Sequence, residues 1–92
     1  MIESGHTLIL GWSSKVYSII GELIIANENQ KSPRIVILAV RDKVEMDDEI
    51  REHLGKTRMR VVTRSGNPMS PADLAIARPG AAKAVIIMSP ET

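Results

Sequence analysis

The sequence contains no cysteine and no phenylalanine, and its only large aromatic side chains are Trp12 and Tyr17. The absence of cysteine excludes disulfides and thiolate metal sites, and it is typical of proteins in a reducing compartment. Twelve Lys and Arg stand against eleven Asp and Glu, which leaves a net charge of only +1. Because nucleic-acid-binding proteins carry a basic excess and aromatic side chains for stacking, we expect no nucleic-acid partner.

Long hydrophobic runs are also missing. No run approaches the roughly 20 apolar residues that a membrane-spanning helix requires, and the opening MIESGHT lacks the basic and apolar parts of a signal peptide. A chain of 92 residues has room for one domain. We therefore expect residues 1–92 to form a single soluble lobe.

Four apolar, β-rich runs alternate with three segments of helical character. The runs are TLIL at 7–10, IVILAV at 35–40, MRVVT at 59–63 and AVIIM at 84–88. Near-continuous apolar runs are typical of parallel strands that are covered on both faces. Because parallel crossovers are right-handed, the pattern predicts an α/β, Rossmann-like half: a four-stranded parallel sheet of order 3-2-1-4 with helices on both faces.

Capping signals mark the ends of the three predicted helices. The first, 14–27, opens after serines that can accept hydrogen bonds from its first backbone N–H groups. The second begins after Asp42, with Glu45 placed to reach back in a capping box, and it ends at Gly55. The third begins after Ser70 and ends at a Pro-Gly pair.

Polar residues concentrate in the turns that follow the strands. These turns, 11–15, 41–43, 64–68 and 89–92, face one edge of the predicted sheet, where open parallel sheets bind ligands. The candidate ligand-binding residues in the first three turns are Gly11, Ser13, Ser14, Lys15, Arg41, Asp42, Arg64, Ser65, Gly66 and Asn67.

The first turn departs from the dinucleotide-binding pattern G-x-G-x-x-G. Gly11 supplies the first glycine, but Ser13 and Val16 replace the second and third. Conventional NAD binding is therefore not expected. Lys15 falls in the first helical turn, where a cation is unfavourable unless an anion is near. The alternative is a solvent-exposed lysine without a ligand.

The other two turns also allow two interpretations. Arg41 could bind a phosphate, and Asp42 could bind a ribose hydroxyl. The alternative for Asp42 is that it caps the second helix. In the third turn, Arg64 could bind an anion, or the carbonyl groups could bind a cation. The alternative for this turn is an ordinary connection between a strand and a helix.

Three further patterns carry no function. GKT at 55–57 imitates the end of a phosphate-binding loop, but Ile50 stands where that loop needs its earlier glycine. EMDDE at 45–49 could attract calcium, yet solvated first turns of a helix explain it better. His6 and His53 lack the spacing of metal ligands and a neighbouring nucleophile motif, so we expect no catalysis.

Two segments are more apolar than a solvent-exposed edge requires. VIIM at 85–88 is apolar on both faces although it would form an edge strand, and the first helix is apolar around most of its circumference. We therefore expect the chain to be a fragment whose covering element belongs to further sequence or to a partner.

Several stretches resemble one family. HTLILGWSSK at 6–15, RDK at 41–43, RSGNP at 64–68 and DLAIARPGAAKAVIIMSPE at 73–91 resemble the conserved cytosolic region of Castor/Pollux-type ion channels. The chain also resembles the N-terminal lobe of an RCK domain, the regulator of potassium conductance. Residues that match the family motifs by position are Gly11, Ser13, Lys15, Arg64, Ser65 and Gly66.

The resemblance implies a ligand-sensing regulatory module of a cation channel. It implies a pore domain upstream, further sheet downstream and assembly of several lobes into a gating ring at the cytoplasmic face of a membrane. Calcium is implied as a ligand by this resemblance alone, and the cofactor stays unassigned. Val40 offers no carboxylate where nucleotide-binding relatives often carry one. The alternatives are a nucleotide-dependent enzyme half and a structural lobe without a ligand.

Overall fold

The computed structural model describes residues 5–29, 34–55 and 60–88. In chain order the elements are β1 (Thr7–Leu10), α1 (Val16–Ala26), β2 (Arg34–Ala39), α2 (Lys43–Leu54), β3 (Arg60–Ser65), α3 (Pro71–Ala77), a 3₁₀ turn (Pro79–Ala81) and β4 (Ala84–Ile87). Strands and helices therefore alternate as the sequence predicts. None of the helices in these described ranges is long and apolar enough to cross a membrane.

The four strands form one parallel sheet in the predicted order, β3-β2-β1-β4. Leu10 at the end of β1 lies beside Leu38 of β2 on one side and beside Ile87 of β4 on the other. Leu38 in turn lies beside Arg64 of β3. Because the strands end in register, the turns that follow them leave from the same edge of the sheet. We call this edge the carboxyl edge.

Helices cover both faces of the sheet, as predicted. On one face, α1 and α2 pack on the sheet through a buried cluster: Ile9, Val16, Ile20, Ile35, Ile37, Ala39, Met46 and Ile50. On the other face, α3 covers a smaller cluster: Leu8, Val36, Leu38 and Ala77. The residues of β1 and β2 alternate between the two clusters, and this explains why their sequence is a continuous apolar run.

Strand boundaries differ from the prediction by one or two residues. β2 begins and ends one residue early, because Arg34 pairs with β3 whereas Val40 is 73% exposed. β3 continues to Ser65, so Arg64 and Ser65 are strand residues and not part of the turn. Their backbones pair with Leu38 and Ala39, and this pairing does not require apolar side chains. The predicted start of β3 at Met59 lies outside the described residues.

The predicted caps are confirmed for two helices, and at the first the Ser13 hydroxyl accepts from the Lys15 N–H, just before α1. Asp42 accepts a hydrogen bond from the Glu45 N–H at 3.1 Å, and Ser70 accepts one from the Asp73 N–H at 3.5 Å. Glu45 does not complete a capping box, because its carboxylate pairs with Arg41 at 3.7 Å. Helix α1 begins two residues later than predicted, and the residue that precedes it makes no side-chain cap.

The apolar edge is present as the sequence suggests. Among the described residues β4 pairs only with β1, and its Val85 and Ile87 are 44% and 78% exposed. On α1, Ile25 is 70% exposed, whereas Ile19, Leu23 and Ile24 pack partly buried against the core. The element that we expect to cover this edge stays a prediction.

Ile20 and Ile25 provide a matched test of the packing, because both are isoleucines on α1. Ile20 is fully buried, so Ile20→Ala should lower the free energy of unfolding by about 2–5 kcal/mol. Ile25→Ala removes an exposed side chain and should change it by about 0.5 kcal/mol or less. Urea denaturation measures both values, and equal losses would contradict this packing of α1.

Candidate functional site at the carboxyl edge

Backbone hydrogen bonds hold the turns of the carboxyl edge against neighbouring strands. The Gly11 N–H donates to the Leu38 carbonyl at 2.8 Å, and the Gly66 N–H donates to the Ala39 carbonyl at 2.9 Å. The Met88 N–H donates to the Leu10 carbonyl at 2.9 Å. The first three predicted turns therefore leave from one edge, and the fourth, 89–92, lies outside the described residues.

Gly11 lies at the point where the strand order reverses, between β1 and β4. Its φ is +102°, and a Cβ added there would lie 2.9 Å from the Met88 carbonyl oxygen. Glycine is therefore required both by its backbone conformation and by the close approach of β4. In open parallel sheets this reversal point is where ligands bind.

Ser13 is buried and takes part in its own turn. Its hydroxyl accepts a hydrogen bond from the Lys15 N–H at 3.2 Å, and its carbonyl accepts one from the Val16 N–H at 3.0 Å. Ser14 and Lys15, by contrast, are exposed. The turn thus has a serine in place of the second glycine of a dinucleotide loop, this serine stabilises the turn from within, and Ser14 and Lys15 are exposed to solvent.

Arg41 is directed toward α2 and forms a bidentate ion pair with Glu49. Its two terminal nitrogens lie 2.6 and 3.1 Å from the Glu49 carboxylate oxygens, and its guanidinium lies 5.1 Å from the centre of the Trp12 ring. The hydrogen bond raises the pKa of Arg41 and lowers that of Glu49. An anion at Arg41 would have to compete with this carboxylate.

Glu49 also joins the aromatic side chains of this region. The Tyr17 hydroxyl donates to Glu49 at 3.3 Å, and the Tyr17 ring stacks on His53 with centroids 3.9 Å apart. His53 donates its Nδ1 proton to the Glu49 carbonyl at 2.9 Å, and Trp12 meets Tyr17 edge to face. We call these four residues, together with Arg41, the Arg41–Glu49 network.

The Arg41–Glu49 network was not predicted from the sequence, although the spacing of its charged residues is visible there. Arg41, Glu45, Glu49 and His53 recur every four residues, the spacing that places side chains on one face of a helix. The spacing did not show that this helix face contacts Trp12 in the first turn and Tyr17 in α1.

His53 lies in the last turn of α2, as predicted. His6 is buried beside α3, where its Nε2 bonds the Ala77 carbonyl.

The turn after β3 is also fixed by its own contacts. The Asn67 N–H donates to Asp73 at 2.9 Å, and the Asn67 side chain accepts from the Met69 N–H at 2.9 Å. A Cβ at Gly66 would lie 2.9 Å from the Leu38 side chain. Arg64 is half-buried and Ser65 is exposed at the end of the strand. Ser65 therefore joins Ser14 and Lys15 as an exposed polar side chain of the carboxyl edge.

The carboxylates of the acidic stretch 45–49 are paired with cationic side chains. Asp47 pairs with Lys43 at 3.4 Å, Asp48 with Arg51 at 3.3 Å, and Glu45 and Glu49 both pair with Arg41. Within residues 5–29, 34–55 and 60–88, no group of three or more His, Asp or Glu side chains is arranged to hold a metal ion. The calcium implied by the resemblance therefore stays without an assigned ligand set.

Comparison with known proteins identifies the family. The family model of the calcium-activated potassium channel slowpoke-like RCK domain matches residues 3–92. The chain belongs to this RCK domain family. The resemblance stated from the sequence is thereby confirmed.

The relatives of this RCK domain are ion channels. It is 36% identical over 92 residues to the probable ion channel CASTOR of Oryza sativa subsp. japonica, covering 99% of this chain and 10% of the relative. It is 39% identical over 89 residues to the probable ion channel POLLUX of Arabidopsis thaliana, covering 96% and 11%. It is 37% identical over 94 residues to the ion channel CASTOR of Lotus japonicus, covering 97% and 11%. The chain thus spans about a tenth of the length of these relatives.

Gly11 and Gly21 allow a matched test of the reversal point. Gly11→Ala should lower the stability of the RCK domain by more than 1 kcal/mol, because a positive φ and a 2.9 Å approach to Met88 both oppose a Cβ. Gly21 lies within α1 with nothing within 4 Å of an added Cβ, so Gly21→Ala should stabilise by about 0.4–1 kcal/mol. Thermal unfolding followed by circular dichroism measures both, and a Gly11→Ala variant as stable as wild type would refute the close contact.

Tyr17 is the only tyrosine, so absorbance at 295 nm reports its ionisation alone. Burial and the nearby Glu49 carboxylate raise its pKa above the ordinary value of about 10. The folded state therefore binds the phenolic proton more tightly than the unfolded chain. The resulting stabilisation is present below the unfolded pKa and is lost as pH rises through the folded pKa.

Glu49→Gln should lower the Tyr17 pKa toward its ordinary value, although burial keeps it raised. Glu22→Gln changes an exposed carboxylate on α1 and should leave the titration unchanged. Spectrophotometric titration compares the three proteins. Identical curves for wild type and Glu49→Gln would contradict the Tyr17–Glu49 contact.

Proposed function

We propose that this RCK domain is a ligand-sensing regulatory module of a cation channel and performs no catalysis. The observation that carries the proposal is the convergence of the turns after β1, β2 and β3 at one edge of a domain of the RCK family. In this type of sheet the carboxyl edge is the ligand-binding edge. The relatives, CASTOR and POLLUX, are named as ion channels, which supports a regulatory role for the domain.

The ligand binds at the exposed polar groups of the carboxyl edge. Ser14 and Lys15 are exposed in the turn that begins at Gly11, and Ser65 is exposed at the end of β3 on the same edge of the sheet. The other candidate side chains stabilise the domain itself: Ser13 and Asp42 accept backbone hydrogen bonds and Arg41 pairs with Glu49. This arrangement favours binding over proton transfer, since the charged side chains of Arg41 and Asp42 are engaged in structural contacts.

Regulation follows from a difference in ligand affinity between two arrangements of assembled domains. A ligand that binds one arrangement more tightly shifts the population toward it, and it shifts nothing if the affinities are equal. We propose that several copies form a gating ring on the cytoplasmic face of the membrane, coupled to a pore domain of the full-length chain. The exposed apolar side chains of β4 support such association.

A thermal-shift screen with calcium, NAD, NADP and ATP tests the proposal. A ligand at 100 times its dissociation constant stabilises the folded state by about 2.7 kcal/mol, which raises the melting temperature of a domain of this size by about 10–20 °C. We expect a shift of this order with at least one of the four. No shift with any of them would favour a structural lobe without a ligand.

Lys15 and Arg51 give a matched pair of variants for an anionic ligand. Lys15→Ala removes an exposed cation of the carboxyl edge and should reduce the shift by at least half. Arg51→Ala removes an exposed cation from the last turn of α2, at the end of that helix away from the carboxyl edge. This variant should leave the ligand-induced shift in melting temperature intact. Equal effects of both variants would place the ligand away from the carboxyl edge.

A further inference from the structure

β3 is an edge strand with backbone groups directed away from the sheet. Among the described residues it pairs with β2 on one side only. In a parallel pair, alternate residues direct both their N–H and C=O groups to the same neighbour. The Gly66 N–H bonds the Ala39 carbonyl of β2, so the even-numbered residues of β3 face β2. Val61 and Thr63 therefore direct their backbone groups to the outer edge.

One of these outward groups is already in contact with a side chain. The Lys43 ammonium donates to the Thr63 carbonyl at 2.9 Å and to the Thr63 hydroxyl at 3.1 Å. A lysine at an edge strand is a common way of limiting uncontrolled strand pairing. Lys43 thus restricts the carboxyl half of the β3 edge, and it leaves the half around Val61 open.

A groove runs along this open half, between the β3 edge and α2. Its volume is about 570 Å³, and its walls include Lys43, Asp47, Ile50 and Arg51 of α2 and Arg60 and Val61 of β3. The volume lies within the range of about 300–1,000 Å³ that is typical of binding sites. Ile50 and Val61 supply an apolar floor beside the outward backbone groups.

The charge of the groove is mainly positive. Three of its four charged side chains, Lys43, Arg51 and Arg60, are cations, and only Asp47 is an anion. The exposed ion pairs of Lys43 and Arg51 are of the kind that contribute little energy, so an anionic partner can replace them.

We propose that the groove binds an acidic segment of another protein as an additional strand on the free edge of β3. Outward N–H and C=O groups recognise an extended backbone, alternating apolar side chains of the segment reach Ile50 and Val61, and its carboxylates meet Arg51 and Arg60. A small anion would use the cations but not the strand edge. Of the turns at the carboxyl edge this groove includes only Lys43, which is not one of the groups that we propose for the ligand, so the inference stands or falls independently of the proposed function.

The binding experiment uses a fluorescein-labelled peptide of alternating glutamate and valine, about as long as the six residues of β3. Fluorescence anisotropy against the 92-residue chain measures its affinity, and amide chemical shifts locate it. We expect saturable binding with the largest shifts at Arg60 and Val61, in the half of the edge that Lys43 does not contact. A counterpart that is N-methylated at its internal amides keeps the charge but cannot pair with a strand, and it should bind at least 10-fold more weakly.

Charge-reversal variants separate this surface from general attraction to a cationic protein. Arg60→Glu and Arg51→Glu should each weaken the peptide by about 10-fold, whereas Lys15→Glu, the same change at the carboxyl edge, should alter its affinity by less than about 2-fold. Far-UV circular dichroism confirms that each variant is folded.

Three results would overturn the proposal. They are equal affinity of the N-methylated peptide, an equal loss with Lys15→Glu, and equally tight binding of a single-stranded oligonucleotide of similar charge. The first would show attraction by charge alone, the second a different location, and the third a surface for polyanions in general.

Discussion

β1 pairs with β2 on one side and with β4 on the other, and this double pairing determines the positions of the two apolar clusters and of the carboxyl edge. The strand is only four residues long, yet Leu8 and Ile9 are fully buried on opposite faces of the sheet. Its neighbours, β2 and β4, are separated in sequence by two crossovers, and the strand order reverses at β1. Without this central pairing neither apolar cluster would close, and Met88, at the end of β4, would not approach Gly11. The reversal point is thus a consequence of burial at the centre of the sheet.

The carboxyl edge shows how polar side chains are divided between architecture and solvent. Ser13, Asp42 and Asn67 satisfy backbone N–H groups of their own turns and helices. Arg41 turns toward α2 and joins it to the first turn through Glu49 and Trp12. An edge built in this way is preorganised for the ligand that we propose, because few of its groups would have to be ordered on binding. The exposed side chains of the edge can vary without loss of the fold.

The sequence was sufficient to predict the sheet order, the placement of helices on both faces and two of the three caps. These features follow from local patterns: continuous apolar runs, Asp42 and Ser70 before helices, and right-handed crossovers. The end of β3 was predicted less well, since Arg64 and Ser65 look like turn residues but pair through their backbones. The role of Arg41 could not be predicted, because it depends on α1 and α2 packing side by side on one face. Local spacing indicates that side chains share a helix face, but only tertiary packing decides what that face meets.

The two aromatic residues of the chain, Trp12 and Tyr17, are in contact with each other. Since the sequence holds one tryptophan, one tyrosine and no phenylalanine, all of its intrinsic fluorescence arises from this single location. Trp12 lies beside the Arg41 guanidinium, a polar neighbour to which indole emission is sensitive. The domain therefore carries its own fluorophore at the edge where the turns converge, and movement of α1 relative to α2 becomes an optical signal without any label.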